Sequence, residues 1–291
     1  MNKITKIIDA HTHFSNIQSF YYASEMSGVD FSYEGYCKEQ QDCGIVASVC
    51  MGIVETEPFA FPDNTAPTPM PADLDERCPP GFNVCLGINP HTLNGDVITD
   101  IRNMLDSGYI GNQKIVGFKI FAGYYHYYVH DPIYTPVYKL AAEYGLTVAI
   151  HTGDVYCENG LLEYSHPLAA DRLAVQFRDT NFLLCHMGDP WIMDACEVAY
   201  KNRNVYLDIS GLLAGNESQI SATEQRELVM NHYTTGLVYL NNYQKVLFGT
   251  DWPLVPMNRY IDFCKKIVPT HSYEDVFYNN AVKLYGLAGL A

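Results

Sequence analysis

The sequence predicts an α/β protein of the (β/α)8 TIM-barrel class with a Pro-rich insertion between strands 2 and 3, and three observations carry that expectation. Eight short apolar runs begin near Ile7, Ile45, Val84, Ile115, Thr147, Phe182, Val205 and Val246. Amphipathic stretches separate them, so most runs start roughly 30 to 40 residues apart, and crossovers of that length demand parallel pairing. The chain has 291 residues, against the about 250 that one barrel of this kind needs. A single domain over residues 1–291 follows.

The first run, Ile7 to His13, ends in two histidines one residue apart. Side chains at i and i+2 of a strand share a face, about 6.6 Å apart at roughly 3.3 Å per residue, so both imidazoles can reach one cation. After the second run, Pro58, Pro62, Pro67, Pro69, Pro71, Pro79 and Pro80 interrupt the segment Val54 to Pro80. Proline lacks an N–H and fixes φ, which forbids a regular helix or central strand there. The segment is expected to lie over the C-terminal mouth as a lid, or to decorate the surface without a role.

The later runs also end in chemically active residues. Ile115 to Phe121 carries Lys119, Thr147 to His151 and Phe182 to His186 each end in histidine, and Val246 to Asp251 ends in aspartate. Between them, Ile133, Val137, Leu140, Ala141 and Tyr144 trace one helical face, with Gly145 as the stop. Ile192, Ala195, Cys196 and Ala199 do the same after the sixth strand. Ser272 followed by Asp275 predicts the capped start of a closing helix that carries Phe277, Ala281 and Leu284.

Composition narrows the function. Lys plus Arg number 18 against Asp plus Glu 33, a net charge of −15, which argues against nucleic acid as partner. The nine cysteines show no Cys-x-x-Cys pair, so neither a disulfide framework nor a zinc ribbon is expected. A reducing, cytoplasmic setting follows. No run approaches the 18 or so apolar residues of a membrane span, and the N-terminus shows no signal pattern.

Catalytic groups of such barrels stand at the C-terminal ends of the strands. Imidazole and carboxylate are the ligand types of a catalytic zinc or similar transition metal that keeps a position open for water. The segments Ile8-Asp9-Ala10-His11-Thr12-His13, Val116-Gly117-Phe118-Lys119, Ala149-Ile150-His151-Thr152-Gly153, Cys185-His186-Met187-Gly188, Val205 to Ser210 and Phe248-Gly249-Thr250-Asp251-Trp252-Pro253 together resemble the amidohydrolase superfamily. The similarity is to the branch that holds the aminocarboxymuconate semialdehyde decarboxylases and metal-dependent hydrolases. The closing stretch Tyr278 to Gly286 resembles that branch as well.

The resemblance implies that His11, His13, His151 and Asp251 bind one divalent metal, zinc or alternatively manganese, with His186 beside it. Asp251 would act as general base towards a metal-activated water. His186 would hold that water or polarise the group under attack, unless it binds a second metal. Lys119 is expected to remain an ammonium that orients an anionic substrate; in the alternative it is carboxylated and bridges two metals.

Further candidates for substrate contact are His91 after strand 3, Arg172, Arg259 and Trp252, the last as a pocket wall. The run Tyr124-Tyr125-His126-Tyr127-Tyr128 would line the mouth or meet a second copy of the chain in a homodimer. Asp208 is expected to hold loops by hydrogen bonds. The expected function is a metal-dependent hydrolase of a small-molecule amide, lactone or ester. The alternative is a non-oxidative decarboxylase of an aromatic or unsaturated carboxylic acid, and a third reading is a catalytically silent metal-binding protein.

Overall fold

The computed structural model describes residues 6–61 and 63–288; Pro62 and the chain ends lie outside them. Eight strands pair in parallel and in chain order: β1 (Ile7–Thr12), β2 (Ile45–Met51), β3 (Phe82–Ile88), β4 (Gln113–Ile120), β5 (Thr147–Ile150), β6 (Asn181–Leu184), β7 (Val205–Asp208) and β8 (Val246–Leu247). Backbone bonds between the first and last strands close the barrel. The Ala10 N–H donates to the Phe248 carbonyl at 2.9 Å, and the Asp251 N–H donates to the His11 carbonyl at 2.8 Å. A two-residue arm, Tyr109–Ile110, pairs antiparallel with the start of β4.

Two layers of apolar side chains hold this sheet. Ile8, Ala10, Val49, Val116, Leu183 and Leu247 form one buried cluster with Leu284, Tyr285 and Leu287, which makes it the barrel interior, plugged from below by the C-terminal segment. The Thr147 hydroxyl at the start of β5 donates to the Leu284 carbonyl at 3.0 Å, which fixes that plug at the N-terminal end. Ile7, Phe118, Ile150, Phe182, Leu207 and Phe248 instead join the helices. Helix Thr135–Tyr144 ends as its sequence predicts, on Gly145 at φ +66°, where the absence of Cβ removes the left-handed penalty. Helix Ile192–Lys201 also forms. No helix of the described residues is long and apolar enough to cross a membrane.

Three strand ends and one cap differ from expectation. β5, β6 and β8 stop at Ile150, Leu184 and Leu247, so His151, His186 and Asp251 lie beyond the ladder. His186 and Asp251 adopt left-handed backbone, at φ +61° and +62°, which breaks the period-two pattern that a sequence reading assumes. Ser272 caps nothing, because Thr270–Ser272 already form a 3₁₀ turn that continues into a π-turn at Asp275–Asn279 and then helix Asn280–Leu284.

The insertion Val54 to Pro80 contains no helix or strand among its described residues and touches the sheet through a bridge from Met70 to Gly87. Asp63 organises its outer half. Its carboxylate accepts from the Thr56 N–H at 2.6 Å and hydroxyl at 2.5 Å, and from the Thr65 N–H and hydroxyl, both at 2.8 Å. Burial opposes the charge, yet these four donors hold the carboxyl well below the usual range. A depressed carboxyl contributes its stability above the unfolded-chain pKa, about 3.9, and loses it as pH falls through the lower folded value. Asp63→Asn is therefore expected to raise the rate of proteolysis within residues 55–70 at neutral pH and to abolish the acid-induced rise expected of the parent. Unchanged cleavage rates across that pH range would contradict this anchor.

Candidate metal centre and active-site cavity

The strand ends converge on Asp251. His13 Nε2 lies 3.1 Å and His11 Nε2 3.4 Å from Asp251 Oδ1, while His186 Nδ1 lies 3.9 Å from Oδ2. His11, His13 and Asp251 are buried and place one ligand atom each within 4.8 Å of the others. The His186 ring stands 4.8 Å from that of His11 and 4.9 Å from that of His151. His151 is therefore in the site but outside the tight group of three.

Hydrogen bonds fix which nitrogen of three rings carries a proton. His11 Nδ1 faces Asp208 Oδ2 at 2.9 Å, His151 Nε2 faces the Asp154 carbonyl at 2.7 Å, and His186 Nδ1 faces the Ser210 carbonyl at 3.1 Å. All three partners only accept, so these nitrogens are the donors, leaving lone pairs on His11 Nε2, His151 Nδ1 and His186 Nε2. Burial, the largest cause in each case, pushes the pKa of His11, His13, His151 and His186 down, which keeps the rings neutral. Burial opposes ionisation of Asp251, but the facing His186, His13 and His11 hold it well below the usual carboxylate range.

The residues present fit a divalent cation. Asp251 Oδ1 is a buried polar atom without a hydrogen-bond partner, and an orphaned buried group of that kind is rare unless something absent satisfies it. Neutral imidazoles and one carboxylate are the donor chemistry of a transition-metal site, and the His11–Asp208 pair is the carboxylate support such ligands use.

The chain backbone was shaped to permit this convergence. Asp9 ties the end of β1 to the Asp251 turn, accepting from the Thr250 N–H at 2.9 Å and hydroxyl at 2.6 Å; burial pushes its carboxyl up to about 7 despite those donors. Gly211, at φ +63°, leaves room for the site: a Cβ there would sit 2.6 Å from His186 Nδ1 and 2.7 Å from Asp251 Oδ2.

Above the centre opens a cavity of about 280 Å³. His13, Lys119, His151, His186 and Asp251 form its floor, and Phe20, Phe59, Phe61, Phe121, Tyr124 and Leu254 its walls. Lys119 is buried, with Nζ 3.1 Å from Cys185 Sγ and 3.5 Å from His11 Nε2. Among the described residues it has no carboxylate partner. Phe61 of the insertion packs 5.6 Å from Phe121 and 4.5 Å from Tyr124, ring to ring, so the insertion contributes a wall of the mouth.

A family model for amidohydrolases matches residues 8–287. The chain belongs to the amidohydrolase family. No curated protein matches the sequence. Among solved structures, the chain is similar to an uncharacterised TIM-barrel protein from Bordetella bronchiseptica, at 20% identity over 98% of this chain and 99% of that one, with a TM-score of 0.69. It is also similar to a dihydroxybenzoic acid decarboxylase from Polaromonas sp. JS666 with bound manganese, at 12% identity over 98% of each chain and a TM-score of 0.63. An amidohydrolase from Burkholderia multivorans with bound HEPES matches at 12% identity over 96% of this chain and 99% of that one, with a TM-score of 0.64. These likenesses establish the barrel.

Four residues proposed for substrate contact lie elsewhere in the structure. Trp252 is fully buried behind the site, because the left-handed turn at Asp251 directs it outwards against Tyr36 and Phe31, with Nε1 donating to Glu39 at 3.2 Å. Arg259 faces outer helices and pairs with Glu224 at 3.5 Å and Glu217 at 3.8 Å. Arg172 is exposed on helix Ala169–Gln176. His91 stands between Tyr125 and Tyr127 in a groove on the far side of Phe61 and Tyr124. Of the aromatic run, Tyr124 alone lines the catalytic cavity, its ring 4.8 Å from His151. Sequence reasoning missed Ser210, Phe20 and Phe61. The spacing Asp208-x-Ser210, which repeats the i, i+2 logic of His11 and His13, was the one available signal.

Proposed function

We propose that this amidohydrolase is a metal-dependent hydrolase of a small-molecule amide, lactone or ester. His11 Nε2, His13 and Asp251 would hold one divalent ion, zinc or manganese, with the His151 Nδ1 lone pair as a further donor. The observation that carries the reading is Asp251 Oδ1, a buried and unsatisfied carboxylate oxygen faced by two neutral imidazoles. A divalent ion in that place supplies a Lewis acid and acidifies water, making a nucleophile at neutral pH.

The remaining work falls to the chain. Asp251 takes the proton of the attacking water and returns it to the leaving group, which general acid-base catalysis values at about 10²–10⁴-fold in rate. His186, its Nδ1 committed to Ser210, presents Nε2 as an acceptor that orients the water. Lys119, an ammonium without an acidic partner, holds an anionic group of the substrate, and the aromatic walls take its apolar body. A carboxylated Lys119 bridging a second metal is the alternative for that residue.

One observation favours a second reading, a non-oxidative decarboxylase. A lone buried ammonium beneath aromatic walls suits a substrate carboxylate, and an apolar site favours reactions that discharge it. Turnover in ¹⁸O-labelled water, screened over lactones, esters, amides and aromatic carboxylates, decides. Hydrolysis places one ¹⁸O in the organic product without gas release; carbon dioxide release with no ¹⁸O in the organic product would replace the hydrolase with the decarboxylase. Bound metal with no turnover of any class would leave the silent binding protein.

A further inference from the structure

We infer that Asp208, the last residue of β7, and Ser210, in the turn that follows, are a positioning pair that fixes two imidazoles of the centre, His11 and His186, at once. The Ser210 hydroxyl has one proton and two lone pairs. Asp208 Oδ1, 2.5 Å away, can only accept, so the proton goes there. The oxygen is left as an acceptor, and 3.0 Å from it stand both His11 Nδ1 and His186 Nδ1.

Each nitrogen has a second acceptor of its own, Asp208 Oδ2 for His11 and the Ser210 carbonyl for His186. Every partner on this side accepts, so both rings must carry their proton at Nδ1. The Nε2 lone pair of His11 is then left for the side where Asp251 Oδ1 lies, 3.4 Å away, and that of His186 for the cavity, its Nδ1 being the atom nearer Asp251 Oδ2 at 3.9 Å. Asp208 also accepts from the His186 and Ser210 N–H groups at 2.9 and 3.1 Å, which locks the left-handed turn at His186 to the same carboxylate. His11, His186, Asp208 and Ser210 are all held together by hydrogen bonds that satisfy each polar atom of the pair, so the arrangement is rigid rather than adaptable.

The test has two arms, and only the second rests on the metal-dependent reading. In metal-free protein, ¹⁵N NMR of the imidazoles is expected to report Nδ1–H tautomers for His11 and His186. Asp208→Asn offers His11 a donor in place of an acceptor and is expected to shift its tautomer towards Nε2–H. Ser210→Ala, which leaves His186 Nδ1 held by the main-chain carbonyl of residue 210 alone, is expected to admit a minor Nε2–H population of His186, and Ser210→Thr, which keeps the hydroxyl, to remove it. In the second arm, zinc titration by calorimetry is expected to show about a 10–100-fold loss of affinity in Ser210→Ala, recovered in Ser210→Thr, with unchanged thermal melting. Tautomers unmoved in both Asp208→Asn and Ser210→Ala would overturn the inference, as would zinc affinity within twofold of the parent in Ser210→Ala. Failure of the parent to bind any metal would instead remove the metal-dependent reading and leave the tautomer arm to judge the pair.

Discussion

Asp251→Asn is expected to leave the barrel folded while lowering turnover by about 10²–10⁴-fold, the usual worth of a positioned general base. The amide is nearly isosteric, and the contacts that set the turn are main-chain: the Asp251 N–H donates to the His11 carbonyl and its carbonyl accepts from Leu254. The fold should therefore survive. The reaction should not, since an amide cannot take a proton from water, and its N–H₂ would donate to the His11 Nε2 lone pair that a metal needs. Comparing kcat/KM of the two proteins on the substrate found by screening, with near-ultraviolet dichroism as the check on folding, reads the effect. A variant that retains most of its turnover would remove Asp251 from the proton transfer.

The second large effect is loss of metal on replacing His11 and His13 together. His11→Ala would strip the buried Asp208 carboxylate of its imidazole donor, and leaving a buried acceptor unsatisfied costs about 1–3 kcal/mol, a sizeable share of the 5–15 kcal/mol that holds a typical domain together. His11→Asn avoids much of that cost, because its side-chain N–H₂ can stand where Nδ1–H stood while the Nε2 lone pair disappears. The double variant His11→Asn/His13→Ala is thus expected to fold and to fall from stoichiometric metal to none measurable by elemental analysis. Undiminished metal in that protein would overturn the ligand assignment.

Much of the barrel was legible because burial on both faces writes parallel strands as short apolar runs, and the starts of β1, β2 and β5 to β8 fall within a residue or so of those runs. β3 and β4 begin two residues earlier than the apolar pattern suggests, at Phe82 and Gln113. What the pattern could not convey is where the backbone leaves the ladder. His186 and Asp251 take left-handed conformations that no local residue preference announces, and the turn at Asp251 is what sends Trp252 away from the cavity. Arg259, His91 and Arg172 looked available because charge and position along the chain do not reveal which face of a helix or loop meets solvent. Asp208 was expected to tie loops, and it does, through the His186 and Ser210 N–H groups; its hold on His11 depends on a contact between residues 197 apart in sequence, which only the closed barrel creates. A place at the mouth was one of two expectations for the insertion, surface decoration being the other, and the walls made by Phe61 and Phe59 were not foreseen.

The most direct measurement is an anomalous-difference map, collected at the absorption edge of whichever metal elemental analysis finds. The account predicts one peak about 2.0–2.2 Å from the His11 and His13 Nε2 atoms and an Asp251 carboxylate oxygen. A peak elsewhere, with these three side chains outside coordination reach of it, would contradict it.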